Sequence, residues 1–133
     1  MNNMEKSELV VSKILSRLMD IGFTKTTLSF QDLDLTNEYE EFFDLSVRWL
    51  LDEGIIRASN FAEAMDSSGS LVNPVLTAYG LSLLRQPSPV SGDEGETMGA
   101  AIIKVSEKGT SYAGIGDFLG GFLGGFTKSI GSG

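Results

Sequence analysis

Side chains that most enzymes use for catalysis are scarce in this chain. It contains no histidine and no cysteine, so neither a serine–histidine nor a cysteine–histidine nucleophile can form, and a thiolate metal site is excluded. The acid–base candidates that remain are the carboxylate pairs Glu40/Asp44 and Asp52/Glu53. Charged groups at helical spacing usually form a solvated face. We therefore expect no catalytic residue, no metal site, no cofactor and no small-molecule substrate.

Two short segments have part of a ligand-binding motif. Residues 32–36 open like a calcium loop, but its sixth position is not glycine and Phe43 occupies the twelfth, where a bidentate glutamate belongs. Residues 114–119 begin like a dinucleotide fingerprint, but Leu119 replaces the third glycine. Neither segment predicts a bound metal or nucleotide.

The clearest pattern is one that predicts binding, and it lies in residues 114–133. Large apolar residues recur there at helical spacing and form one stripe, with glycines on the opposite side. The glycine side would let another surface approach the backbone closely. The predicted partner-binding residues are Ile115, Phe118, Leu119, Phe122, Leu123, Phe126 and Ile130, and the predicted close-packing glycines are Gly116, Gly120, Gly121, Gly124 and Gly125.

The energetics of this tail predict that it folds on contact. Each of the five glycines costs about 1 kcal/mol of helix propensity relative to alanine, so an isolated helix here is poor. Burial of the seven apolar side chains would return roughly 1.5–3 kcal/mol each. We expect an amphipathic Gly/Phe helix that forms against a protein partner, a second copy of the chain or a membrane surface. The alternative is a flexible glycine-rich terminus.

Length and charge limit the class of protein. The chain has 133 residues, 41% of them hydrophobic, which is enough for one compact domain and an appendage. Its net charge of −8 disfavours nucleic acid and anionic lipid as partners. The polar start and the lack of a run of about 18–20 uncharged apolar residues predict a cytoplasmic protein, with the tail as the segment suited to a membrane surface.

Hydrophobic periodicity predicts a small helical domain before the tail. Residues 7–20 are predicted to form an amphipathic helix that stops near Gly22. A short element follows in residues 23–35, and its type is left undecided. Thr36 or Asn37 caps a second long helix that ends at Gly54. The residues expected to face the core are Leu9, Val10, Ile14, Leu15 and Leu18 in the first helix, and Phe42, Leu45, Trp49 and Leu50 in the second.

The second half of the domain is predicted to begin with a strand at residues 55–58. A polar loop and a returning strand at residues 71–76 follow, then a third helix at residues 78–85 capped by Thr77. We expect a domain over residues 1–86, a flexible acidic Pro/Ser/Gly linker over residues 87–97, and an apolar Gly-rich interaction tail over residues 98–133. The apolar octet at residues 98–105 is left open between helix and strand.

This order of elements resembles the winged-helix domains of transcription regulators. Residues 50–56 (LLDEGII) and residues 76–84 (LTAYGLSLL) carry the resemblance, which covers about the first two thirds of the chain. It implies a mainly α fold with a small β-hairpin wing, a winged-helix-like α+β class. It also implies a recognition helix at residues 38–53 and a wing at residues 60–71.

The charges of these two parts depart from those of a DNA-binding protein. A DNA-binding surface gains affinity by neutralising phosphates, whereas the wing contains Glu63 and Asp66 and no lysine or arginine. The predicted recognition helix has the single cation Arg48 against Glu38, Glu40, Glu41, Asp44, Asp52 and Glu53.

The leading hypothesis is a non-catalytic adaptor. In it, an acidic winged-helix domain presents the tail for partner docking, self-assembly or membrane contact. The alternative is a winged-helix DNA-binding transcriptional regulator with the tail as its dimerisation element. That alternative requires Lys13, Arg17, Lys25, Arg48 and Arg57 to share one face.

Overall fold

The computed structural model describes residues 2–59, 69–87 and 95–108. Over these ranges the chain is mainly helical with two small antiparallel sheets, which agrees with the predicted α+β class. The elements are α1 (Asn3–Ile21), β1 (Thr27–Leu28), the 3-10 helices η1 (Phe30–Leu33) and η2 (Asn37–Phe42), α2 (Phe43–Asp52), β2 (Ile56–Arg57), β3 (Leu71–Val72), β4 (Val75–Leu76), α3 (Ala78–Arg85) and α4 (Met98–Lys108).

Helix α1 is the centre of the domain and packs against α2, α4 and both 3-10 helices. It begins four residues earlier than predicted because Asn2 and Glu5 form a capping box. The Glu5 N–H donates to Asn2 Oδ1 at 2.8 Å, and the Asn2 N–H donates to Glu5 Oε1 at 3.1 Å. The helix ends at Gly22, which has a φ of 61°. The inward stripe is confirmed, since Leu9, Val10, Ile14, Leu15 and Leu18 are all buried.

The segment at residues 71–76 pairs with two different strands. Its first half is antiparallel to β1 and its second half to β2. The segment changes partner at Asn73, whose φ of 51° lies in the left-handed region, and at Pro74, which has no N–H to donate. The predicted pairing with residues 55–58 is confirmed for β4, while β3 pairs with β1. The partners are Thr27 with Val72, Leu28 with Leu71, Ile56 with Leu76 and Arg57 with Val75.

The predicted second helix is divided into two parts. Residues 37–42 form η2, and regular α-helix begins only at Phe43. Thr36 is the N-cap of η2, but its side chain makes no capping hydrogen bond. The predicted end is confirmed, because Gly54 follows the C-cap residue with a φ of 73°.

The buried stripe of α2 differs from the predicted one. Leu50 is fully buried as expected, but Phe42 and Trp49 are half-buried and Leu45 is 70% exposed. The segment contains two apolar series at helical spacing, and the one that begins at Phe43 reaches the core. The ring of Phe43 meets Phe30 of η1 edge to face, with centroids 6.1 Å apart. The buried residues of α2 are Phe43, Ser46, Val47 and Leu50.

Helix α3 has the predicted bounds and the predicted cap. The Gly80 N–H donates to Thr77 Oγ1 at 2.9 Å, and the Thr77 hydroxyl lies 2.5 Å from the Gly54 carbonyl oxygen. Gly80 lies against the backbone carbonyl of Ile55, so closely that a Cβ atom would collide with it. The Leu-Thr-x-x-Gly pattern therefore locks α3 onto the end of the α2–β2 connection.

Helix α4 begins at residue 98, where the predicted tail begins, and it packs on the preceding helices. Met98, Ala101 and Ile102 are buried in the same core as the preceding helices, and α4 packs on α1 and α3. Linker composition marks a surface loop, but it does not determine whether the helix after the loop packs back on the domain. This helix does so because its apolar side chains form a stripe.

The two ends of the predicted linker also lie side by side. Pro87 and Thr97 form an antiparallel bridge, and the Met98 N–H donates to the Gln86 carbonyl oxygen at 2.8 Å. Lys104 Nζ lies 2.6 Å from Glu96 Oε2. The start of α4 is thus attached to the end of α3, while residues 88–94 lie outside the described ranges.

Candidate partner-binding site

The predicted tail site lies outside the described residues. This holds for the seven apolar anchors and the five close-packing glycines, all of which fall within residues 109–133, and for residues 60–68 of the predicted wing at residues 60–71. The tail follows Lys108, the last residue of α4. Its point of attachment is therefore a helix packed on the domain, ten residues beyond the predicted start of the tail.

A second surface, missed by the sequence interpretation, is the exposed side of α2 together with the last two residues of η2 before it. Glu41, Leu45, Arg48 and Asp52 recur every three or four residues and are all exposed. Half-buried Phe42 and Trp49 border this row, because around the helix axis they lie between the exposed row and the side that faces the core. We call the surface formed by these residues the α2 face: Glu41, Phe42, Leu45, Arg48, Trp49 and Asp52.

The α2 face and its surroundings are negatively charged. Its single cation, Arg48, is already paired, with Nε 2.9 Å from Asp44 Oδ2 one turn away. On η2, Glu38 Oε2 lies 3.7 Å from Lys6 Nζ of α1. Exposed pairs like these contribute little to stability, but they do reduce the positive charge open to a partner. The carboxylates on or beside the face are Glu38, Glu40, Glu41, Asp44, Asp52 and Glu53.

The cations that a DNA-binding surface would need lie on several different elements. Lys13 and Arg17 line a cavity of about 500 Å³ between α1, η1 and α4, and Arg17 Nη1 lies 3.9 Å from Asp20 Oδ2. Arg48 is on α2 and Arg57 is on β2. Lys25 lies in the connection between α1 and β1.

Acidic residues also line the cavity beside Lys13 and Arg17. Its walls carry carboxylates of α1, of α4 and of the η1 region. Within the described ranges, no cluster of three or more acidic residues could hold a metal ion. Asp34, in the segment that opens like a calcium loop, is the C-cap of η1 and has a left-handed φ of 55°. The acidic residues that line the cavity are Asp20, Asp32, Asp34 and Glu107.

One titratable group near the end of α2 is perturbed. Burial raises the pKa of Tyr79 above its ordinary value of 10.0, and the negative charge of Glu53 raises it further. Both effects favour the neutral phenol over the phenolate. At neutral pH Tyr79 therefore stays a neutral hydroxyl beside the acidic end of α2.

The sequence contained a signal for the α2 face that was read in the wrong orientation. Two apolar series run through residues 42–50, and only one of them can point at the core of so short a helix. The predicted inward residues are Phe42, Leu45, Trp49 and Leu50, whereas the structure buries Phe43 and Val47 with Leu50. The buried stripe contains no acidic residue.

Comparison of the chain with protein-family models, curated proteins and solved structures found no match. In the part of the chain that the structure describes, no helix is both long enough and apolar enough to cross a membrane.

Proposed function

We propose that this chain is a non-catalytic interaction protein with a winged-helix-like domain. The observation that carries the proposal is the charge of the helix in the recognition position: α2 exposes carboxylates around an apolar centre, and its single arginine is paired to Asp44. Such a surface favours a protein partner over a phosphate backbone.

The order of the elements supports a winged-helix-like arrangement. A helix, a strand, two short helical segments and a longer helix lead into β2, and β3 and β4 return after residues 60–68. The returning segment pairs with both β1 and β2. In a winged-helix domain this order would correspond to the predicted recognition helix at residues 38–53, which includes α2, and to the predicted wing at residues 60–71.

The charge of α2 argues against DNA as the ligand. Affinity for DNA comes largely from cations that neutralise phosphates, and the loss of one such contact changes the salt dependence of binding by about one unit of slope. Glu41 near the end of η2 and Asp52 at the end of α2 are exposed carboxylates at positions where a groove-reading helix would approach phosphates and base edges. They would repel the duplex.

The tail supplies the docking element in this proposal. Residues 109–133 follow directly from α4, which is held by α1 and α3, so a partner bound to the tail would be held close to the domain. Phe118, Phe122 and Phe126 act as apolar anchors, and the glycines between them permit close approach. The occupant is a protein partner, a second copy of the chain or a membrane surface.

The test compares the full chain with a chain that ends after Lys108. The truncation is placed there because a chain that ends at Pro87 would also lose the buried side chains of α4. Size-exclusion chromatography and affinity capture of the full chain should show an assembled or partner-bound species that the truncated chain and the Phe122→Asp variant lack. Equal elution volumes and equal partner yields for all three chains would refute the role of the tail.

A titration with duplex DNA at low salt separates the two function classes. The proposal predicts no measurable binding by the full chain. Tight binding that weakens steeply with added salt would favour the alternative, a DNA-binding regulator in which the tail dimerises the protein. Flotation with liposomes, with and without residues 109–133, identifies a membrane as the occupant.

A further inference from the structure

We propose that the α2 face binds a basic, amphipathic helical segment of a protein partner, with Leu45 as the apolar contact at its centre. This inference rests on the proposed role as an interaction protein, but it concerns a surface of the folded domain and does not depend on the tail.

The apolar part of the face is continuous along the helix. Leu45 is 70% exposed, and Phe42 and Trp49 stand one turn before it and one turn after it. Both aromatic residues are only half-buried, although they pack against the core. Single exposed leucines are ordinary, but a leucine between two partly exposed aromatic rings forms a patch with the shape of a ridge, which suits the groove of a second helix.

Charge complementarity defines the chemistry of the partner. Glu41 and Asp52 lie on the face at either end of Leu45, and Glu53 lies beside it. Arg48 does not offset them, because Asp44 holds its guanidinium. A partner helix with leucine on one side and lysine or arginine at the edges would bury its apolar side chains on the ridge while its cations meet these carboxylates.

Other occupants fit this surface less well. The chain's own tail has only Asp117 and Lys128 as charged residues between 109 and 133, so it cannot supply a basic edge. Duplex DNA and anionic lipid would both be repelled by the carboxylates. Since α2 has ten residues, its length is about 15 Å, and a partner helix of three to four turns covers it.

The experiment uses the full chain and a fluorescent peptide of leucine and lysine, about 15 residues long and patterned as an amphipathic helix. Fluorescence anisotropy should show binding that weakens with added salt. Leu45→Ala should weaken it by at least roughly tenfold. Met4→Ala removes another exposed apolar side chain, 67% exposed on α1, and should leave the affinity unchanged.

Charge is tested in the same assay with a pair of reversals on the face. The double variant Glu41→Lys, Asp52→Lys should lower the apparent affinity for the Leu/Lys peptide by at least roughly tenfold. Glu107→Lys, an exposed reversal on α4, should have little effect. Circular dichroism of each variant verifies that the exposed substitutions leave the fold intact.

Three results would overturn the proposal: no binding of the Leu/Lys peptide by the full chain, equal binding of a Leu/Glu peptide, or binding of the Leu/Lys peptide that Leu45→Ala does not change. The last would mean diffuse attraction without a docking site. A chain that ends after Lys108 should bind the peptide as the full chain does, so failure here and failure of the tail hypothesis are separate outcomes.

Discussion

Whether α4 belongs to the domain is tested by two adjacent isoleucines. Ile102 is fully buried against α1 and α3, whereas Ile103, the next residue of the same helix, is half-buried and lines the polar cavity. Substitution of either residue by alanine removes the same atoms and changes helix propensity by the same amount. A difference between the two variants therefore measures burial in the core.

The expected magnitude follows from that burial. Alanine at residue 102 removes three carbons at about 0.8 kcal/mol each, and the cavity left behind raises the total to about 3–4 kcal/mol. Alanine at residue 103 should cost about 1 kcal/mol or less, since part of this side chain already meets water. Urea unfolding followed by circular dichroism gives both free energies, with unchanged m-values as the check on two-state behaviour.

The result that would refute this reasoning is a small and equal effect of the two substitutions. If both changed the free energy of unfolding by less than about 0.5 kcal/mol, the size of an ordinary surface substitution, then α4 would not be part of the cooperative core. The separate segment from residue 98 that the sequence predicts would then be the better description.

Two further predictions concern α3 and its neighbours. Gly80→Ala should destabilise the fold by about 2 kcal/mol or more, because the added Cβ meets the Ile55 carbonyl and this overpacking exceeds the helix-propensity gain of about 1 kcal/mol. The control Ser82→Ala, on the exposed side of α3, should be neutral or slightly stabilising. A Gly80→Ala variant as stable as this control would disprove the close approach. Stability should also fall as the pH rises above about 10, because the raised pKa of Tyr79 lets the unfolded chain release this proton before the folded chain does. Urea unfolding across this pH range should show a smaller fall in the free energy of unfolding for Glu53→Gln than for the wild type. Tyr79→Phe should lack the part of the fall that comes from Tyr79. If the free energy of Tyr79→Phe fell with pH as steeply as that of the wild type, the assignment would be wrong.

Local signals explain the parts of the fold that were predicted well. In α1 the apolar spacing and the stop at Gly22 agree, and in α3 the cap at Thr77 defines the start. Capping and periodicity act within a few residues, so they can be read without knowledge of the rest of the chain. The capping box of Asn2 and Glu5 was such a signal too, and it was overlooked.

Non-local packing explains the differences. Leu45 and Leu50 are similar side chains on one helix, and the elements packed against α2 determine that Leu50 is buried and Leu45 exposed. In the same way, β3 pairs with β1, which is more than forty residues away in sequence, because the bend at Asn73 directs it there. The return of α4 after the linker depends on the apolar surface that α1 and α3 offer.

The sequence by itself determined the chemistry that this protein can use. The lack of histidine and cysteine, the net charge of −8 and the segregated apolar and glycine residues of the tail are properties of composition and order, and no fold changes them. The tertiary structure decided which surfaces are available. It buried one apolar series of α2 and left the other at the surface among carboxylates, and it buried Met98, Ala101 and Ile102 of α4 in the core, because burial depends on the elements that meet in space and not on neighbours in the chain.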